Sequence, residues 1–206
     1  MAADRRSAAA NGFSAERVTP HAEEENMELA PEMFKRFLPL PVTVITTVDG
    51  EGIPNGAPYS CVMPILRPLP LIAIASALPR DTLRNIRTTG EFVVNVMGKP
   101  AFREAMKCAR DYPPEVNELE EAELETLPSK RIKPPRIKAA VGWIEAKLDR
   151  EIADERYVLI IGQVVCSEMN DLYVQDDTLT ERPISLLLPH FRSLGESIAK
   201  RDEIEA

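Results

Sequence analysis

Two extended runs early in the chain restrict the fold more than any other feature of the sequence. The first run, Val42–Val48, is rich in β-branched residues and leads into the turn sequence Asp49-Gly50-Glu51-Gly52. An extended stretch over Asn55–Leu66 follows. β-Branched residues favour a pleated backbone, and Asp and Gly favour tight turns. The sequence therefore predicts a hairpin-like pair of strands.

Further strand patterns enlarge this pair into a sheet. Pro70–Ala77 is a short apolar run bounded by prolines, as expected of a strand buried on both faces, and Glu91–Met97 is the next strand. Arg136–Asp149 and Arg156–Glu168 are expected to pair antiparallel. Because the strands do not alternate regularly with helices, the pattern favours a barrel over a doubly wound parallel sheet. The predicted fold class is mainly β with peripheral helices.

One helix is predicted between the third and fourth strands. Asp81 is a suitable N-cap for a helix over Thr82–Thr89, and Gly90 is well placed to end it. A second, short helix is predicted over Pro100–Arg110.

The rest of the chain lacks sustained periodicity. Residues 1–26 are expected to form a flexible N-terminal arm, and residues 27–206 a single domain. The segment Asp111–Pro135 is acidic and then proline-rich, so we expect a long excursion over the surface. The charged tail from Pro189 onward is expected to end in a helix.

Composition excludes several classes of function. A net charge of −8 and a pI near 5.0 argue against sequence-independent binding of nucleic acid. No apolar run approaches the roughly 20 residues that cross a membrane. Cys61, Cys108 and Cys166 are widely spaced and are expected to be buried thiols in the cytoplasm, while His21 and His190 make no metal ligand set.

The segment Ser76–Thr82 is the strongest candidate for a binding site. A helix N-terminus presents unpaired N–H groups, and Arg80 adds a full positive charge beside the hydroxyls of Ser76 and Thr82. This combination suits a phosphate monoester. The alternative is an ordinary capped helix start without a ligand.

Small residues mark a second candidate segment, Asn55–Cys61. Gly56 and Ala57 weaken packing on a strand, and close approach of a flat ligand is one reason to keep them. Gly50 and Gly52 lack the third glycine and the helix of a dinucleotide-binding fingerprint. Ser60 and His190 are also too little to define a hydrolase triad.

Two blocks of sequence together resemble one family over about residues 34–190. The blocks comprise Pro54-Asn55-Gly56-Ala57-Pro58-Tyr59-Ser60, Asp81-Thr82-Leu83-Arg84-Asn85-Ile86, Gly90-Glu91-Phe92-Val93-Val94-Asn95, Tyr112-Pro113, Val116-Asn117-Glu118-Leu119 and Lys133-Pro134-Pro135-Arg136-Ile137. They are similar to the flavin reductase-like FMN-binding split-barrel family, which includes flavoredoxins and the reductase components of two-component monooxygenases.

The resemblance implies a Greek-key split β-barrel that forms a homodimer and binds FMN at the subunit interface. It places Asn55, Gly56, Ala57, Pro58, Tyr59, Ser60 and Cys61 along the flavin ring, with backbone amides facing its polar edge. It places Ser76, Ala77, Arg80 and Thr82 at the ribityl phosphate, with Asn85 in support.

The same resemblance implies hydride transfer from NADH or NADPH to the flavin, and a partner oxygenase or other electron acceptor. No catalytic acid or base is required, because the chemistry belongs to the cofactor. His190 and Arg192 are candidates for the open face of the site, but a solvated helix start is the favoured interpretation. A non-catalytic FMN carrier and an oligomeric interaction domain with an empty site remain the alternatives.

Overall fold

Strands make up most of the computed structural model, which describes residues 27–199. The α-helices are α1 (Asp81–Thr89), α2 (Phe102–Lys107) and α3 (Glu118–Glu121), and short 3-10 helices span Pro31–Arg36 and Asp171–Tyr173. The strands are β1 (Leu40–Pro41), β2 (Thr43–Val48), β3 (Pro54–Tyr59), β4 (Val62–Pro64), β5 (Leu71–Ala77), β6 (Glu91–Val96), β7 (Thr126–Leu127), β8 (Arg136–Ile137), β9 (Gly142–Ala153), β10 (Tyr157–Met169), β11 (Val174–Gln175), β12 (Thr178–Leu179), β13 (Ile184–Leu187) and β14 (His190–Ser193).

A seven-stranded antiparallel sheet carries the fold, in the order β3-β2-β6-β9-β10-β5-β4. If the sheet were flat, its two outer strands would lie about 29 Å apart at a spacing of about 4.8 Å per strand. Yet β3 passes into β4 through Ser60 and Cys61 alone, and a link this short spans about 10 Å. The sheet is therefore curled until its ends meet, which confirms the predicted split β-barrel.

Apolar side chains cover both faces of the central strands. Val44 on β2 belongs to one core cluster with Val93 and Leu119, whereas Ile45 belongs to another with Phe92 and the helix residue Ile86. This two-sided burial explains why Thr43–Val48 is buried along its whole length.

The helix α1 follows the prediction except at its first residue. Arg80, not Asp81, is the N-cap, and no side chain caps the helix. Asp81 is the first helical residue and instead pairs with Arg84, 2.7 Å away. Gly90 ends the helix as predicted, in the left-handed conformation (φ 72°) that suits glycine.

The prediction of a surface excursion over Asp111–Pro135 is wrong. Leu119, Ala122 and Leu124 lie in the core, and the end of the segment is fixed to the sheet. Arg136 Nε donates to the buried Glu145 carboxylate at 2.7 Å, and this carboxylate also accepts from the backbone N–H groups of Lys130 and Arg131. These hydrogen bonds to a buried carboxylate hold the end of the segment against β9.

The tail and the cysteines also differ from expectation. His190–Ser193 forms β14 and pairs with β13, so His190 does not start a helix, and Leu194–Ala199 is not helical. Cys108 is buried, but Cys61 is exposed and Cys166 is half-buried, all three as free thiols. The predicted arm over residues 1–26 and the last residues of the tail lie outside the described residues.

Candidate functional site

A cleft of about 340 Å³ opens where the two ends of the sheet meet. Most of the residues predicted to bind a cofactor line it, and they come from the end of β3, the link to β4, the end of β5 and the start of α1. These lining residues are Asn55, Ala57, Pro58, Tyr59, Ser60, Cys61, Ala77, Arg80 and Thr82. The structure thus brings together two segments that are about 20 residues apart in sequence.

The free edge of β3 forms one wall of this cleft. The Gly56 N–H points away from β2 and donates to the Glu118 carboxylate at 3.1 Å. Because the backbone nitrogens of successive strand residues face opposite sides, those of Pro54 and Pro58 also point away from β2. Proline has no N–H. β3 itself therefore has no free amide for a ligand, so within the predicted stretch Asn55–Cys61 the backbone donors can come only from the residues after the strand.

Two amides beyond the strand can serve instead. Ser60 and Cys61 follow Tyr59, both line the cleft, and neither N–H donates to a backbone or side-chain acceptor within residues 27–199. They are the backbone donors that this wall offers to a ligand.

The start of α1 forms the second part of the cleft. The helix is uncapped by any side chain, and its first turn leaves the N–H groups of Asp81, Thr82 and Leu83 without an intrahelical acceptor. Arg80 is exposed directly before this turn. Unpaired amides, the positive end of the helix and a guanidinium make this end of the cleft suitable for an anion.

The hydroxyls expected to help bind the anion are already engaged. Thr82 Oγ1 donates to Asn55 Oδ1 at 3.2 Å, and the Thr82 side chain is buried. Ser76 Oγ lies 3.0 Å from the Tyr59 hydroxyl and 3.2 Å from the carbonyl oxygen of Ala77, to which it donates. At the start of α1, Arg80 and the first-turn amides are therefore the free donors.

A third wall was missed by the sequence interpretation. It consists of the loop after α2 together with the first residue of α3: Cys108, Ala109, Arg110, Asp111, Tyr112 and Glu118. Tyr112 and Glu118 both lie in the second block of the family resemblance, which was the signal available for them. The Tyr112 hydroxyl is buried, and within the described residues it has no hydrogen-bond partner.

Glu118 connects this wall to β3. Its Oε1 accepts from Asn55 Nδ2 at 2.5 Å and its Oε2 from the Gly56 N–H at 3.1 Å. Burial raises the pKa of the Glu118 carboxyl, and these hydrogen bonds offset part of the rise. Burial and the charge of Glu118 also raise the pKa of Cys108 to about 12.

The remaining predicted residues lie outside the lining of the cleft. Ser76 and Asn85 lie behind it, bonded to Tyr59 and Thr47 respectively. Gly56 faces Leu119, and a Cβ on this glycine would lie 2.4 Å from Leu119 Cδ2, so close packing of protein explains the glycine. His190 is exposed on β14 and does not line the cleft.

Neither a metal cluster nor a membrane helix is found in the described part of the chain. Residues 27–199 contain no group of three His, Cys, Asp or Glu side chains placed to hold a metal ion. None of their helices has the length and apolar character needed to span a bilayer.

Known proteins are similar to this chain in sequence or in fold. An uncharacterised protein of Methanothermobacter thermautotrophicus is 48% identical over 153 residues, which cover 71% of this chain and 72% of that protein. The crystal structure of nitrilotriacetate monooxygenase component B from Bacillus cereus is 28% identical, with a TM-score of 0.75 over 86% of this chain and 100% of that one. A flavoredoxin of Desulfovibrio vulgaris (Miyazaki F), at 19% identity, has the same fold, with a TM-score of 0.76 over 87% and 100% of the two chains.

The family model of the flavin reductase like domain matches residues 34–181. This span includes every lining residue of the cleft. The chain belongs to the flavin reductase-like family and has its split-barrel fold.

Proposed function

We propose that this protein binds FMN in the cleft and passes electrons from NADH or NADPH through it, as a flavin reductase or a flavoredoxin-like electron carrier. The observation that carries the proposal is the pairing of an anion site, at Arg80 and the start of α1, with free amides at Ser60 and Cys61 in one cleft. Family membership supports a flavin as the occupant.

The donor set fits a flavin mononucleotide. The single phosphate belongs at Arg80 and the first-turn amides of α1, since these groups are free to donate. The ring belongs along Ala57, Pro58 and Tyr59, with its polar edge toward Ser60 and Cys61. When bound, FMN supplies the hydride chemistry, and the chain binds it, orients it and leaves one side open to the electron donor.

We further propose that the protein is a homodimer in the cytoplasm that serves a partner oxygenase or another acceptor. Exposed apolar side chains on and after β4 and after β5 support a contact between copies: Met63, Leu66, Leu69 and Leu78. The name of the Bacillus cereus neighbour, a monooxygenase component, supports the partner oxygenase. Sedimentation velocity tests the dimer, and a monomer at micromolar concentration would contradict it.

An anaerobic titration tests the central proposal. The purified protein is mixed with FMN, freed of unbound flavin, and followed by its visible spectrum as NADH or NADPH is added. We expect retained flavin bands that bleach. Bands that persist with both donors would contradict reduction and support the FMN carrier, whereas failure to retain or titrate FMN would overturn binding as well.

A further inference from the structure

Glu118 is a buried acid for which the proposed electron transfer has no use. It lines the cleft, yet only 8% of the residue is exposed, and it begins the four-residue helix α3. Both of its carboxylate oxygens accept hydrogen bonds from β3. A carboxylate is costly to bury, and it is stable in such a place only when donors satisfy it.

The bond to Glu118 fixes the orientation of the Asn55 amide. An ionised carboxylate only accepts, so Asn55 must turn its NH₂ group toward Glu118 and its Oδ1 the opposite way. That oxygen accepts from Thr82 Oγ1 and from Thr47 Oγ1, both at 3.2 Å. Thr47 Oγ1 in turn accepts from Asn85 Nδ2 at 3.2 Å.

This chain of bonds links the two ends of the cleft. Asn55 lies on the β3 wall, whereas Thr82 and Asn85 lie on α1, whose first turn forms the anion site. All of these side chains are buried, so water competes little for their hydrogen bonds. The position of α1 relative to β3 thus depends on the donor and acceptor pattern that Glu118 imposes on Asn55.

We infer that Glu118 is a positioning residue for the flavin cleft: through Asn55, its carboxylate holds the start of α1 against β3 and sets the distance between the ring end and the phosphate end. The inference rests on the proposed binding of FMN.

A donor–acceptor exchange tests this role. Glu118→Gln places an NH₂ group against either the NH₂ of Asn55 or the N–H of Gly56 unless Asn55 turns, and Asn55→Asp brings two carboxylates together. The double variant N55D/E118Q restores one donor facing one acceptor and keeps the number of carboxylates. Each single change should raise the FMN Kd about 10-fold or more, and the double variant should return it to within about threefold of wild type.

Two further variants separate positioning from general stability. Glu121→Gln, exposed on the same helix, should leave the Kd unchanged. Ile160→Val removes a buried methyl group from the core at a residue that does not line the cleft, and it should lower the urea midpoint without changing the Kd. Single variants that bind FMN like wild type would overturn the role of Glu118.

The exchange still tests the role of Glu118 when a variant does not fold or when the wild type does not bind FMN. If a single variant does not fold, a folded double variant with near wild-type affinity supports the inference, and a folded double variant with weak affinity overturns it. A double variant that also fails to fold overturns it, since the exchange then does not restore the pattern. If the wild type does not bind FMN, the proposed function fails first, and this result is distinct from equal binding by wild type and variants.

Discussion

The Tyr59 hydroxyl lies 3.0 Å from Ser76 Oγ, and this contact joins β3 to β5 across the split in the barrel. In the sheet, four other strands separate these two. Their meeting places the cleft at the closure of the barrel, where side chains from distant parts of the sheet converge.

Arg80→Ala should weaken FMN binding by about 1.5–3 kcal/mol, the scale of a charge-assisted hydrogen bond. The reason is that the hydroxyls of Thr82 and Ser76 are engaged, which leaves Arg80 as the charged donor at the start of α1. Fluorescence titration of FMN measures the change. Arg87→Ala is the matched control, because Arg87 pairs with Glu151 at the other end of the same helix. Equal losses in both variants, or none in Arg80→Ala, would contradict the anion site.

Gly56→Ala should destabilise the protein by about 1–3 kcal/mol, because the added methyl group overlaps Leu119. Urea denaturation measures the effect. Gly50→Ala is the control, since its Cβ would lie 3.7 Å from Thr88, an ordinary contact, and we expect a change within about 0.5 kcal/mol. If Leu119→Ala is added to Gly56→Ala, the two losses should be less than additive. Full additivity would mean that the overlap does not cause the loss.

Cys61 should react with iodoacetamide much faster than Cys108 in the native protein. Cys61 is exposed, whereas Cys108 is buried and its pKa is raised to about 12, so little of its thiolate forms at neutral pH. Mass spectrometry of labelled peptides measures both rates, and urea should remove the difference. Because Cys61 lines the cleft, FMN should slow its labelling. An unchanged rate with saturating FMN would argue against Cys61 at the ring.

The raised pKa of Glu118 predicts a pH dependence of stability. Burial raises this pKa above its ordinary value of 4.5, so the native state binds the proton more tightly than the unfolded chain. The contribution of Glu118 to the free energy of unfolding therefore falls as pH rises from 4.5 through the raised pKa. Glu118→Gln removes this dependence. The difference in unfolding free energy, wild type minus variant, should fall with pH in that window.

Urea unfolding at several pH values above and below this window measures that difference. Glu121→Gln corrects for the loss of a carboxylate that is not buried. A difference that rises with pH would mean that the hydrogen bonds to Glu118 outweigh its burial.

The sequence predicted the parts of the fold that depend on local pattern. β-Branched runs with Asp and Gly between them gave β2 and β3, and the long strands β9 and β10 pair as expected. The end of α1 was predicted because Gly90 has a conformational reason to be there. Such signals are contained within a few residues.

The missed features depend on contacts between residues far apart in the chain. Glu118 bonds to Asn55, which lies 63 positions earlier in the sequence. The acidic residues around Glu118 gave no indication that its side chain would be buried. The β14 strand was missed because it is short, exposed and followed by a charged tail, so the sequence shows no strand pattern that predicts its pairing with Ile184–Leu187. The exposure of Cys61 follows from barrel closure, which places the link between β3 and β4 at the mouth of the cleft.

The edge of β3 also limits how this protein can associate. A strand added there would find carbonyl acceptors but no amide donor, since Pro54 and Pro58 lack one and Gly56 donates to Glu118. The same arrangement that shapes the cleft thus protects this edge from intermolecular β-sheet extension, the usual route from an open strand to aggregates. A dimer is therefore not expected to form by adding a strand to β3, and this edge of the cleft can stay open to a ligand without recruiting another strand.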